Sequence, residues 1–134
     1  MRKVLYILRG VPGCGKSTAA KAIAGLTGVV CCADDYFIYG GVYKFDASQL
    51  GAAHNACKTK CEDNMKVGTE EIIIANTNTT EKEFNTYKKM GIKYGYIAIF
   101  LVVENRHDGV NVHGVPEEAL GRMEDKIKSS LKLR

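Results

Sequence analysis

The chain has 134 residues, of which 46% are hydrophobic and 25% charged, and this composition is typical of globular proteins rather than of disordered or fibrous chains. It contains no apolar run of about 18 residues and no signal-peptide pattern at its start, so we expect a cytoplasmic protein that does not enter a membrane. Its five cysteines are odd in number and lack the paired spacing of a zinc site, which predicts free thiols and no structural metal. We expect residues 1–134 to form one domain.

Basic residues exceed acidic ones by 19 to 15, and the excess lies at the end of the chain. Four of them fall among the last nine positions, where there is no acid: Lys126, Lys128, Lys132 and Arg134. Two interpretations stay open, namely attraction to a polyanionic partner and a solvated helix end whose cations complement the helix dipole.

Strand and helix patterns alternate along the sequence. Buried strands are predicted at 3–8, 29–33, 71–75 and 96–103. The first predicted helix covers 18–26, and the last begins after Pro116. Two helices between them begin at capping boxes: one at Asp46 and Gln49, which ends at Gly68, and one at Thr80 and Glu83, which ends at about 89. This alternation predicts a three-layer α/β domain with a mainly parallel sheet flanked by helices. Polar residues that follow the strands are then expected at one shared edge of the sheet.

The run from Gly10 to Ser17 fits the phosphate-loop pattern G-x-x-x-x-G-K-[ST] at every fixed position, and it lies between the first strand and the first helix. Backbone N–H groups of such a loop turn inward around an anion. Lys16 is therefore predicted to reach the β- and γ-phosphates of ATP, and Ser17 to bind the Mg²⁺ that bridges them. The predicted nucleotide-binding residues are Gly13, Cys14, Gly15, Lys16, Ser17 and Thr18. The expected fold is accordingly that of the P-loop NTPases.

Two acids, Asp34 and Asp35, follow the second predicted strand. A kinase needs a carboxylate near the phosphate loop to accept the proton of the acceptor hydroxyl, and this strand end is placed to supply it. Because neighbouring residues at a strand end point in opposite directions, we expect one acid to enter the site and the other to cap a turn.

Several motifs together resemble one family of P-loop kinases. They are Gly10-Val-Pro-Gly-Cys-Gly-Lys-Ser-Thr18, Ala33-Asp-Asp-Tyr-Phe37, Gly41-Val-Tyr-Lys-Phe-Asp46, Ala53-His54, Asn76-Thr-Asn78 and His113-Gly-Val-Pro116. The family comprises the phage polynucleotide 5′-kinases and the similar kinase-like domains of cyclic nucleotide phosphodiesterase and ubiquitin-ligase-binding polynucleotide kinase. The resemblance implies a kinase that uses ATP and Mg²⁺ to phosphorylate a hydroxyl of DNA or RNA. It also implies that Asp34 is the general base and that Asp35 is structural or helps to bind the acceptor.

The sequence departs from that family in three places. Phe37 stands where the phage kinases carry an arginine that grips a substrate phosphate. Ala75 and Asn76 supply no carboxylate at the end of the third core strand, which leaves Asn76 to bind a water on Mg²⁺. Val110 takes the place of the lid arginine that meets the transferring phosphate, and Arg106 on the same connection is the candidate substitute.

Aromatic residues are concentrated directly after the two acids. Five of them fall within ten positions: Tyr36, Phe37, Tyr39, Tyr43 and Phe45. Two or three are expected to cover the core, and the others suit stacking on a nucleobase. The candidate substrate contacts are Asp35, Tyr36, Phe37, Asn76 and Asn78. The resemblance further implies that His54 points inward near the acids.

Three functions remain open from the sequence. The first is a kinase that phosphorylates a hydroxyl at a nucleic acid end. The second keeps this chemistry but changes the acceptor to a nucleoside, another small alcohol or a hydroxymethylated base in DNA. The third is a nucleotide-binding module with weak or no transfer activity, which the residues at Ala75 and Val110 favour.

Overall fold

A computed structural model of the protein describes residues 2–12, 14–78, 80–104 and 116–130. The strands are β1 (Val4–Arg9), β2 (Val29–Cys31), β3 (Ile38–Tyr39), β4 (Val42–Tyr43), β5 (Glu71–Ile74) and β6 (Ile97–Val102). The helices are α1 (Lys16–Ala24), α2 (Leu50–Lys66), α3 (Glu81–Tyr94) and α4 (Glu117–Ser130). Two 3₁₀ turns, Ala33–Phe37 and Ala47–Gln49, lie between β2 and α2.

Four strands form a parallel sheet in the order β2-β5-β1-β6. Val4 of β1 pairs with Glu71 of β5 on one side and with Ile97 of β6 on the other. Because these strands run in one direction, they end at one edge, where β1 leads into the phosphate loop and β2 leads into the two acids. The predicted α/β sheet architecture is confirmed.

Side chains that alternate along the strands pack against helices on opposite faces of the sheet. On one face, Leu5 and Ile7 are fully buried in a core that α2 and α3 complete. On the other face, Leu8 and Ile73 pack against Ala20 of α1. Both faces are therefore covered, which explains why the strands are continuous apolar runs in the sequence rather than alternating ones.

The last helix packs beside the phosphate loop. Ile127 of α4 forms a buried cluster with Val11 and Cys14, and Leu120 and Met123 are partly buried against them. Ile127, Leu120 and Met123 therefore form the apolar face of the described part of this helix. Contact between α4 and Cys14 ties the position of the loop to the packing of this helix.

The helix boundaries follow the predicted caps in one case and not in another. Thr80 and Glu83 form the predicted capping box of α3, which then continues five residues beyond the expected end at 89 and stops at Gly95, with a φ of 80°. The capping box predicted at Asp46 and Gln49 is wrong. The Asp46 side chain instead accepts from the Ser48 N–H at the start of a 3₁₀ turn, so α2 begins later, at Leu50.

An antiparallel hairpin that was not predicted connects the acids to α2. β3 pairs with β4 so that Ile38 lies opposite Tyr43, and the two residues between the strands are Gly40 and Gly41. Their φ angles are 56° and 81°, a left-handed conformation in which glycine has no side chain to clash. The hairpin brings Tyr43 back toward the turn that carries the acids.

Two of the four basic residues at the end of the chain can be placed. Lys126 and Lys128 are exposed on α4, whereas Lys132 and Arg134 lie outside the described residues. Across residues 2–12, 14–78, 80–104 and 116–130, no helix is both long enough and apolar enough to cross a membrane.

Candidate active site

The phosphate loop depends on two glycines for different reasons. A Cβ on Gly10 would lie 2.5 Å from the Cys14 Sγ and 2.7 Å from the Val103 carbonyl oxygen, so no larger residue fits without movement. Gly15 has a φ of 100° at the N-cap of α1, a conformation that side chains disfavour. These constraints let the loop turn tightly into the helix, whose N-terminal N–H groups face the position expected for an anion.

Lys16 is the first residue of α1, and its side chain folds back over the phosphate loop. Its Nζ donates to the Val11 carbonyl oxygen at 3.0 Å and lies 3.8 Å from the Cys14 Sγ. Burial lowers the pKa of Lys16, and the nearby negative charge of Asp34 opposes that shift. A bound phosphate would favour the charged ammonium for the same electrostatic reason.

The other predicted nucleotide-binding residues differ in exposure. Ser17 and Thr18 are exposed in the first turn of α1, and Gly15 is half-buried before it. Cys14 is fully buried against α4, so it would contribute its backbone rather than its thiol to a bound phosphate. Gly13 lies outside the described residues. The exposed Ser17 hydroxyl, one residue after Lys16, fits the role of an oxygen ligand for Mg²⁺ beside the phosphates.

The two acids lie in a 3₁₀ turn, and not at the end of an extended strand as predicted. The turn spans Ala33–Phe37, so the expectation of opposite directions from strand alternation does not apply. Asp34 is half-buried and Asp35 is exposed. β5 separates β2, which leads into Asp34, from β1, which leads into the phosphate loop, so the acid and the loop lie two strands apart at the same edge of the sheet.

The amide group of Asn76 makes its contacts within the protein, and not with a substrate as expected. Its Oδ1 accepts from the Ala33 N–H at 2.8 Å, and its Nδ2 lies 3.4 Å from the Tyr87 hydroxyl and 3.6 Å from the Cys57 Sγ. Because the side chain is only 9% exposed, we assign it to holding the turn that carries Asp34 against β5.

Asn78 is likewise buried, at 2% exposure, and not placed to touch a substrate. Its Nδ2 donates to the Leu8 carbonyl oxygen at 2.8 Å, and its own carbonyl oxygen accepts from the Arg9 Nε at 2.7 Å. The Arg9 guanidinium also lies over the Phe84 ring, 4.9 Å from its centroid. These contacts fix the end of β5 beside the start of the phosphate loop.

The aromatic residues near the acids divide into a core part and an exposed part. Phe37 is 3% exposed and packs edge-on against Tyr43, so its ring belongs to the core, and its contact with substrate stays a prediction. Tyr36 is 38% exposed and donates to the Gln49 Oε1 at 3.3 Å. Phe45 is 52% exposed although its ring packs against Phe37, with centroids 5.1 Å apart, and Tyr39 is 77% exposed. Stacking on a substrate is therefore open to Tyr36, Tyr39 and Phe45.

His54 does not point inward as the resemblance implied, because it is exposed on α2. Cys57 and Cys61 on the same helix are buried in the core, and all five cysteines of the chain are free. Burial raises the pKa of Cys57. Among the described residues, no three histidine, cysteine or acidic side chains come together to hold a metal ion.

Tyr43 is one of the five aromatic residues noted after the acids, but its contact with Asp34 was not predicted. Its hydroxyl donates to the Asp34 Oδ1 at 3.4 Å, and burial together with the charge of Asp34 raises its pKa to about 12. The signal that would have found it is the Gly40-Gly41 pair, which predicts a two-residue hairpin turn and returns Tyr43 to a position opposite Ile38.

The expected lid falls outside the part of the chain that the structure describes. This applies to Arg106, the predicted substitute for the missing arginine, and to Val110 and His113.

Comparison with solved structures defines the class of protein to which this fold belongs. A chain of the Pnkp1/Rnl/Hen1 complex matches with a TM-score of 0.61 and 20% identity, over 90% of this chain and 38% of that one. An APS kinase from Mycobacterium tuberculosis matches with a TM-score of 0.55 and 11% identity, over 95% of this chain and 98% of that one. The protein has the P-loop NTPase fold that the sequence predicted, with a mainly parallel sheet flanked by helices.

The chain is also similar to a protein at higher sequence identity. NEDD4-binding protein 2 from Homo sapiens is 33% identical over 129 residues, which cover 90% of this chain. The match spans only 7% of the length of that protein. No family model matches the chain.

Proposed function

We propose that the protein is an ATP-dependent kinase that transfers the γ-phosphate to a hydroxyl at the 5′ end of a nucleic acid. The observation that supports this best is the half-buried Asp34 carboxylate in the turn that follows β2, at the same edge of the sheet as the phosphate loop and Lys16. A phosphate loop alone serves hydrolases and kinases equally. A carboxylate beside it is what an acceptor hydroxyl requires.

The phosphate loop supports the first part of the proposal, which is nucleotide binding. Backbone N–H groups at the start of α1 and the Lys16 ammonium would hold the β- and γ-phosphates of ATP. Ser17 would hold Mg²⁺, which when bound neutralises charge on the phosphate oxygens. The buried contact of Cys14 with Ile127 packs this part of the loop against α4.

Asp34 supports the second part, which is transfer to a hydroxyl. The acceptor oxygen forms a bond to the γ-phosphorus while the bond from that phosphorus to the β–γ bridging oxygen breaks, and ADP carries away the electron pair. The acceptor proton passes to the Asp34 carboxylate. General-base assistance of this kind typically contributes about 10² to 10⁴-fold in rate.

The exposed aromatic residues support a nucleotide acceptor. Tyr36 lies in the turn that carries Asp34 and Asp35, Phe45 packs against Phe37 at the end of that turn, and both rings are exposed enough to stack on the base next to the reacting hydroxyl. Stacking of this kind contributes about 1 to 3 kcal/mol per base. The resemblance of the motifs to polynucleotide 5′-kinases supports a nucleic acid end in particular. Arg106, which lies outside the described residues, stays the candidate substitute for the lid arginine that meets the transferring phosphate.

Transfer of labelled γ-phosphate from ATP to a panel of acceptors tests the proposal. The panel comprises 5′-hydroxyl DNA and RNA oligonucleotides, a nucleoside, a small alcohol, and 5′-phosphorylated DNA that carries hydroxymethylated bases. We expect label on a 5′-hydroxyl oligonucleotide and none on its 5′-phosphorylated counterpart with ordinary bases. Label on the hydroxymethylated DNA, the nucleoside or the alcohol alone would show that the proposed acceptor is wrong. ATP binding without any transfer would show that the protein is not a kinase of these acceptors.

A further inference from the structure

One contact in the candidate site, between the hairpin and the turn that carries the two acids, has no role assigned to it above. The Tyr43 hydroxyl donates to the Asp34 Oδ1 at 3.4 Å. Tyr43 is half-buried, and its ring packs edge-on against the buried Phe37, with centroids 6.3 Å apart. The Lys44 N–H beside it donates to the Phe37 carbonyl oxygen at 2.9 Å. The ring is therefore held in place by packing and by its neighbour's backbone, independently of its contact with Asp34.

The direction of this hydrogen bond follows from the charges around it. Burial and the charge of Asp34 raise the pKa of Tyr43 to about 12, so the hydroxyl keeps its proton across the range in which enzymes are assayed. It is then a permanent donor to the carboxylate. A donor stabilises the ionised carboxylate over the protonated one, and only the ionised form accepts a proton from a hydroxyl.

We propose that Tyr43 is a positioning residue of the kinase site, where its hydroxyl fixes one carboxylate oxygen of Asp34 so that the other faces the acceptor. This inference rests on the proposed function. It assigns a role in the proton-accepting step to a residue that belongs neither to the phosphate loop nor to the pair of acids. Tyr43 itself touches neither the transferring phosphate nor the acceptor oxygen.

Other titratable groups near Asp34 have to be separated from Tyr43 in a test. Lys16 from α1 acts on Asp34 by charge, and Asp35 adjoins it in the same turn. The Cys32 thiol precedes the turn, and burial, reinforced by the two acids, raises its pKa to about 12, so it remains neutral. All of these groups are unchanged when only the Tyr43 hydroxyl is removed.

Tyr43→Phe removes the hydroxyl and keeps the ring that packs against Phe37. Tyr94→Phe is the matched control, since the Tyr94 hydroxyl also donates to a carboxylate, Glu62 Oε2 at 3.0 Å, between α3 and α2. Both variants and the wild type are assayed for phosphate transfer from ATP to a 5′-hydroxyl oligonucleotide from pH 5 to 8, and circular dichroism checks that each is folded. Dividing each variant's kcat by that of the wild type cancels the titration of ATP itself.

For Tyr43→Phe we expect kcat to fall about 3- to 10-fold relative to the wild type at each pH, with the KM for ATP unchanged, because the carboxylate loses the contact that orients it. The kcat ratio for Tyr94→Phe should stay near one. A Tyr43→Phe kcat ratio near one would overturn the inference and leave the kinase intact. A wild-type protein that transfers no phosphate would overturn both.

Discussion

Asn76→Ala tests whether the buried amide of Asn76 holds the acidic turn in place. In the wild type, the Asn76 Oδ1 accepts from the Ala33 N–H at 2.8 Å, and its Nδ2 makes longer contacts of 3.4 Å with the Tyr87 hydroxyl and 3.6 Å with the Cys57 Sγ. Ala33 is only 6% exposed, so the variant leaves a buried N–H without its acceptor. A buried unsatisfied donor costs about 1 to 3 kcal/mol.

Adding the loss of the two longer contacts, we expect Asn76→Ala to lower the free energy of unfolding by about 2 to 3 kcal/mol. Urea denaturation followed by circular dichroism measures this, and Asn55→Ala on the exposed face of α2 is the control, expected within about 0.5 kcal/mol of the wild type. In the kinase assay, kcat should fall more than the affinity for ATP, because Asp34 is displaced while the phosphate loop is not. A loss of stability equal to that of the control would refute the reasoning.

Two further predictions concern the phosphate loop. Lys16→Ala should abolish turnover, and unaltered turnover would exclude Lys16 from the mechanism. Because burial lowers the pKa of Lys16 while bound phosphates favour its ammonium, the ATP affinity of the wild type should decline as the pH rises into the alkaline range. The variant should lose that pH dependence, and calorimetric titration measures the ATP affinity of both proteins. Gly10→Ala should destabilise the protein by about 1 to 3 kcal/mol and weaken ATP binding, because the added Cβ would lie 2.5 Å from the Cys14 Sγ. Gly51→Ala on α2 is the control and should do neither, because its Cβ would meet nothing within 4 Å. Equal losses of stability in the two variants would contradict the clash at Gly10.

The phosphate loop and the sheet could be predicted from the sequence because their patterns have one physical solution. A loop with glycine at 10 and 15 followed by Lys16 requires a strand before it and a helix after it. Continuous apolar strands that alternate with amphipathic helices need cover on both faces, which gives a parallel sheet. The capping box of Thr80 and Glu83 was likewise readable, because its two hydrogen bonds are local in sequence.

The surroundings of Asp34 could not be predicted because they depend on contacts between distant segments. Nothing local distinguishes the buried Phe37 from the exposed Phe45, and burial of one ring decides which can stack on a substrate. The amide of Asn76 looks available in the sequence, but Ala33, 43 positions earlier, uses its oxygen. Strand alternation failed at the two acids because the chain leaves β2 directly into a 3₁₀ turn.

The central claim is that Asp34 accepts the proton of the acceptor hydroxyl, and single-turnover transfer by Asp34→Asn tests it most directly. The amide keeps the shape of the side chain but cannot take the proton, so we expect transfer to a 5′-hydroxyl oligonucleotide to slow by about 10² to 10⁴-fold while most ATP affinity and the fold are retained. Asp35→Asn, which alters an exposed acid in the same turn, should lose less. If Asp34→Asn transfers phosphate as fast as the wild type, Asp34 is not the base and the proposed mechanism is wrong.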